Sequence, residues 1–88
     1  MEVRMEGRFF IKTEHGEAEM LYRIEGGSTM SIYHTFVPEE ERGKGIAEVM
    51  ADAALGFAKR EGLKVRPDCD YMRHYVTKHN GAGKYISQ

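Results

Sequence analysis

A single cysteine, Cys69, stands among the 88 residues, so no internal disulfide can staple the chain, and a reducing compartment suits it. Charge of one sign is scarcely in excess: the net charge of −1 argues against a surface built for nucleic acid or anionic membrane. No apolar run approaches the roughly 20 residues that span a bilayer. The opening stretch MEVRMEGRFF has neither the basic start nor the apolar run of a signal peptide. The expectation is a cytoplasmic protein without nucleic-acid or membrane partners. Proline is scarce too, and Pro38 and Pro67 each follow a strand-like stretch that they would end. Repeats, linkers and low-complexity segments are missing, so residues 1–88 read as one domain.

Hydrophobic residues make up 41% and charged residues 31% of the chain, which places it among globular rather than disordered sequences. Its length suffices for one modest core without metal or disulfide support. Residues Gly7–Thr13, Glu17–Ile24 and Thr29–Val37 read as three strands, with tight turns at Glu14-His15-Gly16 and Glu25-Gly26-Gly27. Such short connections predict an antiparallel meander. Simple alternation in the third strand puts Met30, Ile32, His34 and Phe36 on one face, and Ser31, Tyr33 and Thr35 on the other.

A long helix follows, with Ile46, Val49, Met50, Ala53 and Phe57 forming its apolar stripe and Gly62 closing it. Gly56 inside it suggests close packing on the sheet. Leu63–Arg66 reads as a strand parallel to the third, because a helix makes the crossover. Asp68 or Asp70 can cap a second helix from Tyr71 to about His79, and Asn80-Gly81-Ala82-Gly83 would break it before a loose tail.

The long helix opens on Arg42-Gly43-Lys44-Gly45-Ile46-Ala47. A helix N-terminus has free N–H groups and a partial positive charge, so it suits phosphate. Gly43 and Gly45 allow close approach, and Arg42 and Lys44 add charge. A Walker A loop would need Ser or Thr where Gly45 stands, and a dinucleotide fingerprint would need Gly at Glu48. The spacing R-x-x-G-x-A resembles the coenzyme A pyrophosphate loop of the GNAT acyltransferase superfamily; a basic turn capping a helix is the plainer alternative.

Further words are similar to a small branch of that superfamily, the short single-domain YjdJ-like N-acetyltransferases. They are His34-Thr35, Pro38 with Arg42-Gly43-Lys44-Gly45, Gly62-Leu63-Lys64-Val65, and Pro67-Asp68-Cys69, with Tyr75, Lys78 and His79 continuing the likeness. The resemblance implies a minimal GNAT-like α/β (α+β) fold: a three-stranded antiparallel meander, helix, parallel strand and C-terminal helix. It also implies acetyl-CoA or coenzyme A as cofactor. The pantetheine arm would lie between parallel strands ending at Phe36-Val37 and Val65-Arg66, and the pyrophosphate on the amides of Gly43, Lys44, Gly45, Ile46 and Ala47. The implied activity is acetyl transfer to an amine of a small molecule or protein. A non-catalytic coenzyme-binding or interaction module is the rival.

Such transfer needs an acid for the departing thiolate. The resemblance suggests Tyr75, which could equally be a packing tyrosine. Cys69 could carry the acetyl group, line the thioester pocket or act as a small buried hydrophobe. Flanking carboxylates at Asp68 and Asp70 disfavour a further negative charge on its sulfur, so direct transfer is the expected route. His34 could be a general base or a core histidine beside Met30, Ile32 and Phe36. His74 and His79 point different ways, and no metal site is expected. Glu39-Glu40-Glu41 reads as a solvated turn. The acceptor side looks open, and a large substrate or a second copy of the chain could wall it.

Overall fold

The computed structural model describes residues 2–78. Its centre is one sheet in the order β1 (Arg4–Met5), β2 (Arg8–Thr13), β3 (Gly16–Glu25), β4 (Thr29–Phe36) and β5 (Lys64–Pro67). The first four strands pair antiparallel, and β4 pairs parallel with β5. Helix α1 (Ile46–Glu61) makes the crossover between that parallel pair, and α2 (Asp70–Lys78) follows β5. The mixed α/β class, the meander and the parallel strand are as the sequence led us to expect. The predicted break at Asn80–Gly83, the tail and His79 lie outside the described residues. Strand β1 is an addition, too short for any alternation to reveal it.

One irregularity overturns the expected faces of β4. Leu21 of β3 pairs with His34, whereas the next residue, Tyr22, pairs with Ile32, so Tyr33 has no opposite number. A surplus residue in one strand is a β-bulge, and it reverses the alternation beyond it. Before it, Met30 and Ile32 are buried in the core. After it, Thr35 sits opposite Met20, a core residue. His34 and Phe36 therefore leave the core face, and both are exposed. His34 is not a core histidine.

The helix face needs a second correction. The completely buried line of α1 runs through Met50, Ala51, Ala54 and Ala58, while Val49, Ala53 and Phe57 are only partly buried. Alanines let the helix axis come close to the sheet. Phe57 lies at the flank instead, its ring 5.9 Å from Phe9 and 6.3 Å from Tyr22. Gly56 is not the point of close approach, because an added Cβ there would meet only the tip of Arg60, at 3.6 Å. Gly62 does close α1, donating its N–H to the carbonyls of Ala58 and Lys59.

Helix α2 buries Met72 and Tyr75 in the same core. Asp68 does not cap it: its carboxylate accepts from Ser31 and Arg66. Asp70 is instead the helix's first residue, paired with Arg73.

Ala54→Leu should force bulk into the closest helix–sheet contact and cost about 1–3 kcal/mol. Lys59→Ala, at an exposed position, should stay within about 0.5 kcal/mol of wild type. Thermal melts of the two variants check the orientation of α1, and equal melting temperatures would contradict it.

Candidate functional site

After β4 the chain passes buried Pro38, makes a single 3₁₀ turn at Glu39–Glu41, and reaches the glycine-spaced loop. Arg42 donates from Nε to the carbonyl of Val37 at 3.2 Å, folding the loop back on the strand end. Gly43 and Gly45 take φ of 83° and 78°, a left-handed conformation that costs other residues strain. A Cβ on either would meet nothing within 4 Å, so each glycine faces open space. Gly45 stands at the N-cap position of α1 and supplies no side-chain cap. The first helical bond runs from Val49 N–H to the Gly45 carbonyl at 3.1 Å, so Ile46 and Ala47 N–H have no acceptor within the helix. Those donors and the helix dipole make the loop electropositive. A cavity of about 290 Å³ lies over it, lined among others by Val37, Arg42, Gly43, Gly45, Ala47 and Tyr71.

Next to the loop the sheet opens. β4 and β5 pair from Thr29–Lys64 to Ile32–Pro67 and no further. Asp68 marks the vertex: its N–H donates to the Ile32 carbonyl at 2.9 Å. Its Oδ2 accepts from the completely buried Ser31 hydroxyl at 2.5 Å and from Arg66 Nε at 2.7 Å. Arg66 also reaches Glu25 at 2.6 Å. The hydrogen bond from Ser31, and then Arg66, hold the Asp68 carboxyl below its ordinary range despite some desolvation. Beyond the vertex, Tyr33–Phe36 run on without a strand partner on that side among the described residues.

At this opening Thr35 Oγ1 and Cys69 Sγ lie 3.4 Å apart, and Cys69 packs partly buried against the core. Tyr71 borders the loop cavity. Burial raises its phenol above the ordinary value, and the charges of Glu48 and Asp52 and the nearby Cys69 add to that. Tyr75 is 5% exposed and donates its hydroxyl to Asp52 Oδ1 on α1. Desolvation first, and that bond second, push its phenol far up. The rings of Tyr71 and Tyr75 are 6.3 Å apart.

Of the residues singled out from sequence, Val37, Arg42, Gly43, Gly45, Ile46 and Ala47 line one cavity. Lys44 borders a neighbouring one. Cys69 and Tyr75 lie on the α2 side, with Cys69 at the opening and the Tyr75 hydroxyl turned to α1. His34 and Phe36 stand on the other face of β4. Three members went unnoticed in the sequence. Thr35 was hidden by the bulge. Tyr71 shares its helix face with Tyr75, and spacing alone could not choose between them. Glu41, read as part of a solvated acidic turn, is buried and bonded to His15 and Lys44. Among the described residues no His, Cys, Asp or Glu cluster could hold a metal, and no helix is long and apolar enough to cross a membrane.

The GCN5-related N-acetyltransferase family model matches residues 8–85, and the chain belongs to that family. It is similar to Protein NATD1 of Xenopus tropicalis, with 39% identity over 74 residues, covering 84% of this chain and 67% of the relative. The human NATD1 protein is also 39% identical over 74 residues, covering 84% of this chain and 65% of the relative. The chain thus spans about two thirds of the length of these relatives. The solution structure of a GCN5-like protein from Staphylococcus aureus superposes with a TM-score of 0.80 at 25% identity, over 98% of this chain and 87% of that one.

Because the folded-state carboxyl of Asp68 is depressed, its contribution to stability is present above the unfolded value and is lost as pH falls through the folded one. Ser31→Ala removes the largest cause of that depression. It should cost about 1–2 kcal/mol at neutral pH. The difference in melting temperature from wild type should shrink below about pH 4. Melts across that range check it, and a pH-independent difference would remove Asp68 from the explanation.

Proposed function

We propose that this chain binds acetyl-CoA and transfers its acetyl group to an amine. The observation that carries the reading is the uncapped N-terminus of α1 behind two left-handed glycines, leading directly into the unpartnered edge of β4. The loop fits a diphosphate: amide donors converge there at the positive end of the helix dipole, and the space that a Cβ would fill is open. Amides of Gly43–Ala47 would hold the diphosphate with Arg42. The edge of Tyr33–Phe36 would pair with the amides of the pantetheine arm, as an added strand does. Phe36 and Val37 then flank the mouth of that groove.

When bound, acetyl-CoA would supply an activated acetyl group: the amine nitrogen would form the new C–N bond and release one proton to solvent, and the C–S bond would break. The chain's own task is to orient the carbonyl, keep water out and supply a proton toward the departing sulfur. Tyr71 faces the cavity and keeps its proton at neutral pH, so it joins Tyr75 as a donor. Tyr75 already donates to Asp52, which locks α2 against α1. Cys69, touching Thr35, lines the groove in the direct route and carries the acetyl group in the alternative. His34 is on the other face of β4, and a role as base would require the acceptor to reach around that strand. The commitment of Tyr75 to Asp52 is what favours the second reading, a coenzyme-binding module without turnover.

Gly45→Asn isolates the cradle, because asparagine tolerates left-handed backbone while its side chain fills the space. It should weaken acetyl-CoA binding with little loss of melting temperature. Arg42→Ala should weaken it by about tenfold or more through loss of a charge-assisted contact. Calorimetry on both variants checks this, and wild-type affinity in folded Gly45→Asn would sink the loop assignment.

Incubation with acetyl-CoA alone should leave no hydroxylamine-labile acetyl on Cys69 if transfer is direct. Under that route Tyr71→Phe or Tyr75→Phe, whichever carries the proton, should lower turnover about 10²–10⁴-fold at little cost in affinity. Mass spectrometry and an amine panel decide. A rapidly formed thioester at Cys69 would establish the alternative route, and tight binding without turnover on any amine would favour the module.

A further inference from the structure

Glu41 is 6% exposed, and a carboxylate so placed is costly unless its oxygens are matched. Here both are. Oε2 accepts from His15 Nδ1 at 2.6 Å, and Oε1 accepts from Lys44 Nζ at 3.0 Å. The bond from His15, and then that from Lys44, hold the carboxyl below its ordinary range. His15 belongs to the turn between β2 and β3, where its backbone N–H donates to Thr13 Oγ1 at 3.2 Å. Lys44 stands between the two left-handed glycines. One buried side chain therefore fastens the middle of the loop to a hairpin far away in sequence. Glu41 also borders two cavities, the one over the loop and a second of about 250 Å³ on the hairpin side.

We infer that Glu41 is a positioning residue: braced against His15 of the hairpin, it holds Lys44, and with it the glycine loop, in the diphosphate-receiving shape. The inference rests on the acetyl-CoA reading above. Lys44 borders the hairpin-side cavity and not the one over the loop, so its bond to Glu41 acts by fixing the backbone between the two glycines. The other charged side chains along Glu41 are Lys12 and Glu14 on the hairpin side, and Arg42 and Glu48 on the loop side.

Two accounts of the carboxylate give opposite signs. A mere negative charge beside an anion site would weaken binding, and Glu41→Gln would then tighten it. A carboxylate that positions the loop gives the reverse. Acetyl-CoA titrated calorimetrically into the full chain at neutral pH separates them. Glu41→Gln should bind about tenfold more weakly. His15→Ala leaves the carboxylate in place but removes its brace from the hairpin, and should weaken binding in the same direction. Binding by Glu41→Gln as tight as wild type or tighter would overturn the inference alone. If Glu41→Gln does not fold, His15→Ala still decides, and unchanged affinity in that variant would overturn the inference. No binding by wild type would overturn the acetyl-CoA reading, and this inference with it.

Discussion

Parallel strands must share a hydrogen-bonded ladder, and β4 and β5 share one only as far as Ile32 and Pro67. That limit organises the rest of the molecule. Lys64 and Asp68 donate to the carbonyls of Ser28 and Ile32, so the donor that Pro67 lacks belongs to the edge of β5 away from β4, where a proline is tolerated. Asp68 then anchors the departing chain twice to β4, through its N–H to Ile32 and its carboxylate to Ser31. A buried serine without such a partner would be a liability; paired with a carboxylate, it fixes the vertex. The bulge at Tyr33 lies immediately beyond, so the strand bends away just as its partner leaves. The opening is held by bonds that define its apex and is not merely an absence of pairing.

The same logic explains why the loop at the mouth keeps its shape. Two features of that loop are costly in isolation, an uncapped helix start and a buried carboxylate, whereas its left-handed turns fall on glycines that take them without strain. Glu41 meets His15 and Lys44, and Arg42 meets the carbonyl of Val37, so the polar groups around the loop satisfy one another. The exception is the set of amides at the start of α1. A folded chain that matches the neighbouring polar groups and leaves those donors toward open space fits the proposed diphosphate there.

Much of this was legible in the sequence because its signals are local. Turn residues at 14–16 and 25–27 bounded the strands, Gly62 closed α1, and the basic glycine loop preceded the helix where the cavity now stands. What stayed hidden depends on contacts remote in sequence. The surplus residue Tyr33 breaks alternation without leaving a mark, since Met30 through Phe36 alternates equally well as an unbroken strand; hence His34 was misplaced and Thr35 overlooked. Three consecutive glutamates give no hint that only the last is buried, because its partner His15 lies 26 residues earlier. The stripe through Phe57 was plausible for an isolated amphipathic helix. The sheet, however, prefers alanines at closest approach and leaves the ring to pack at the flank.

Local geometry also outweighs overall charge at the site. With a net charge of −1 the chain has no positive field to draw in a diphosphate from afar. The loop's own neighbourhood is mixed, with Arg42 and Lys44 set among Glu39, Glu40, Glu41 and Glu48. Surface charges screened by salt act over about 10 Å, so these carboxylates partly cancel the cations for an approaching ligand. Under the proposed function, recognition would come at contact, from amides already aimed by the helix and from glycines that let the ligand reach them. Such donors lose little freedom on binding, so their contribution does not depend on long-range attraction. This also explains why a loop needing so few charged groups must be held so firmly. Amides select by direction, and direction is lost if the backbone between Pro38 and Ile46 is free to move.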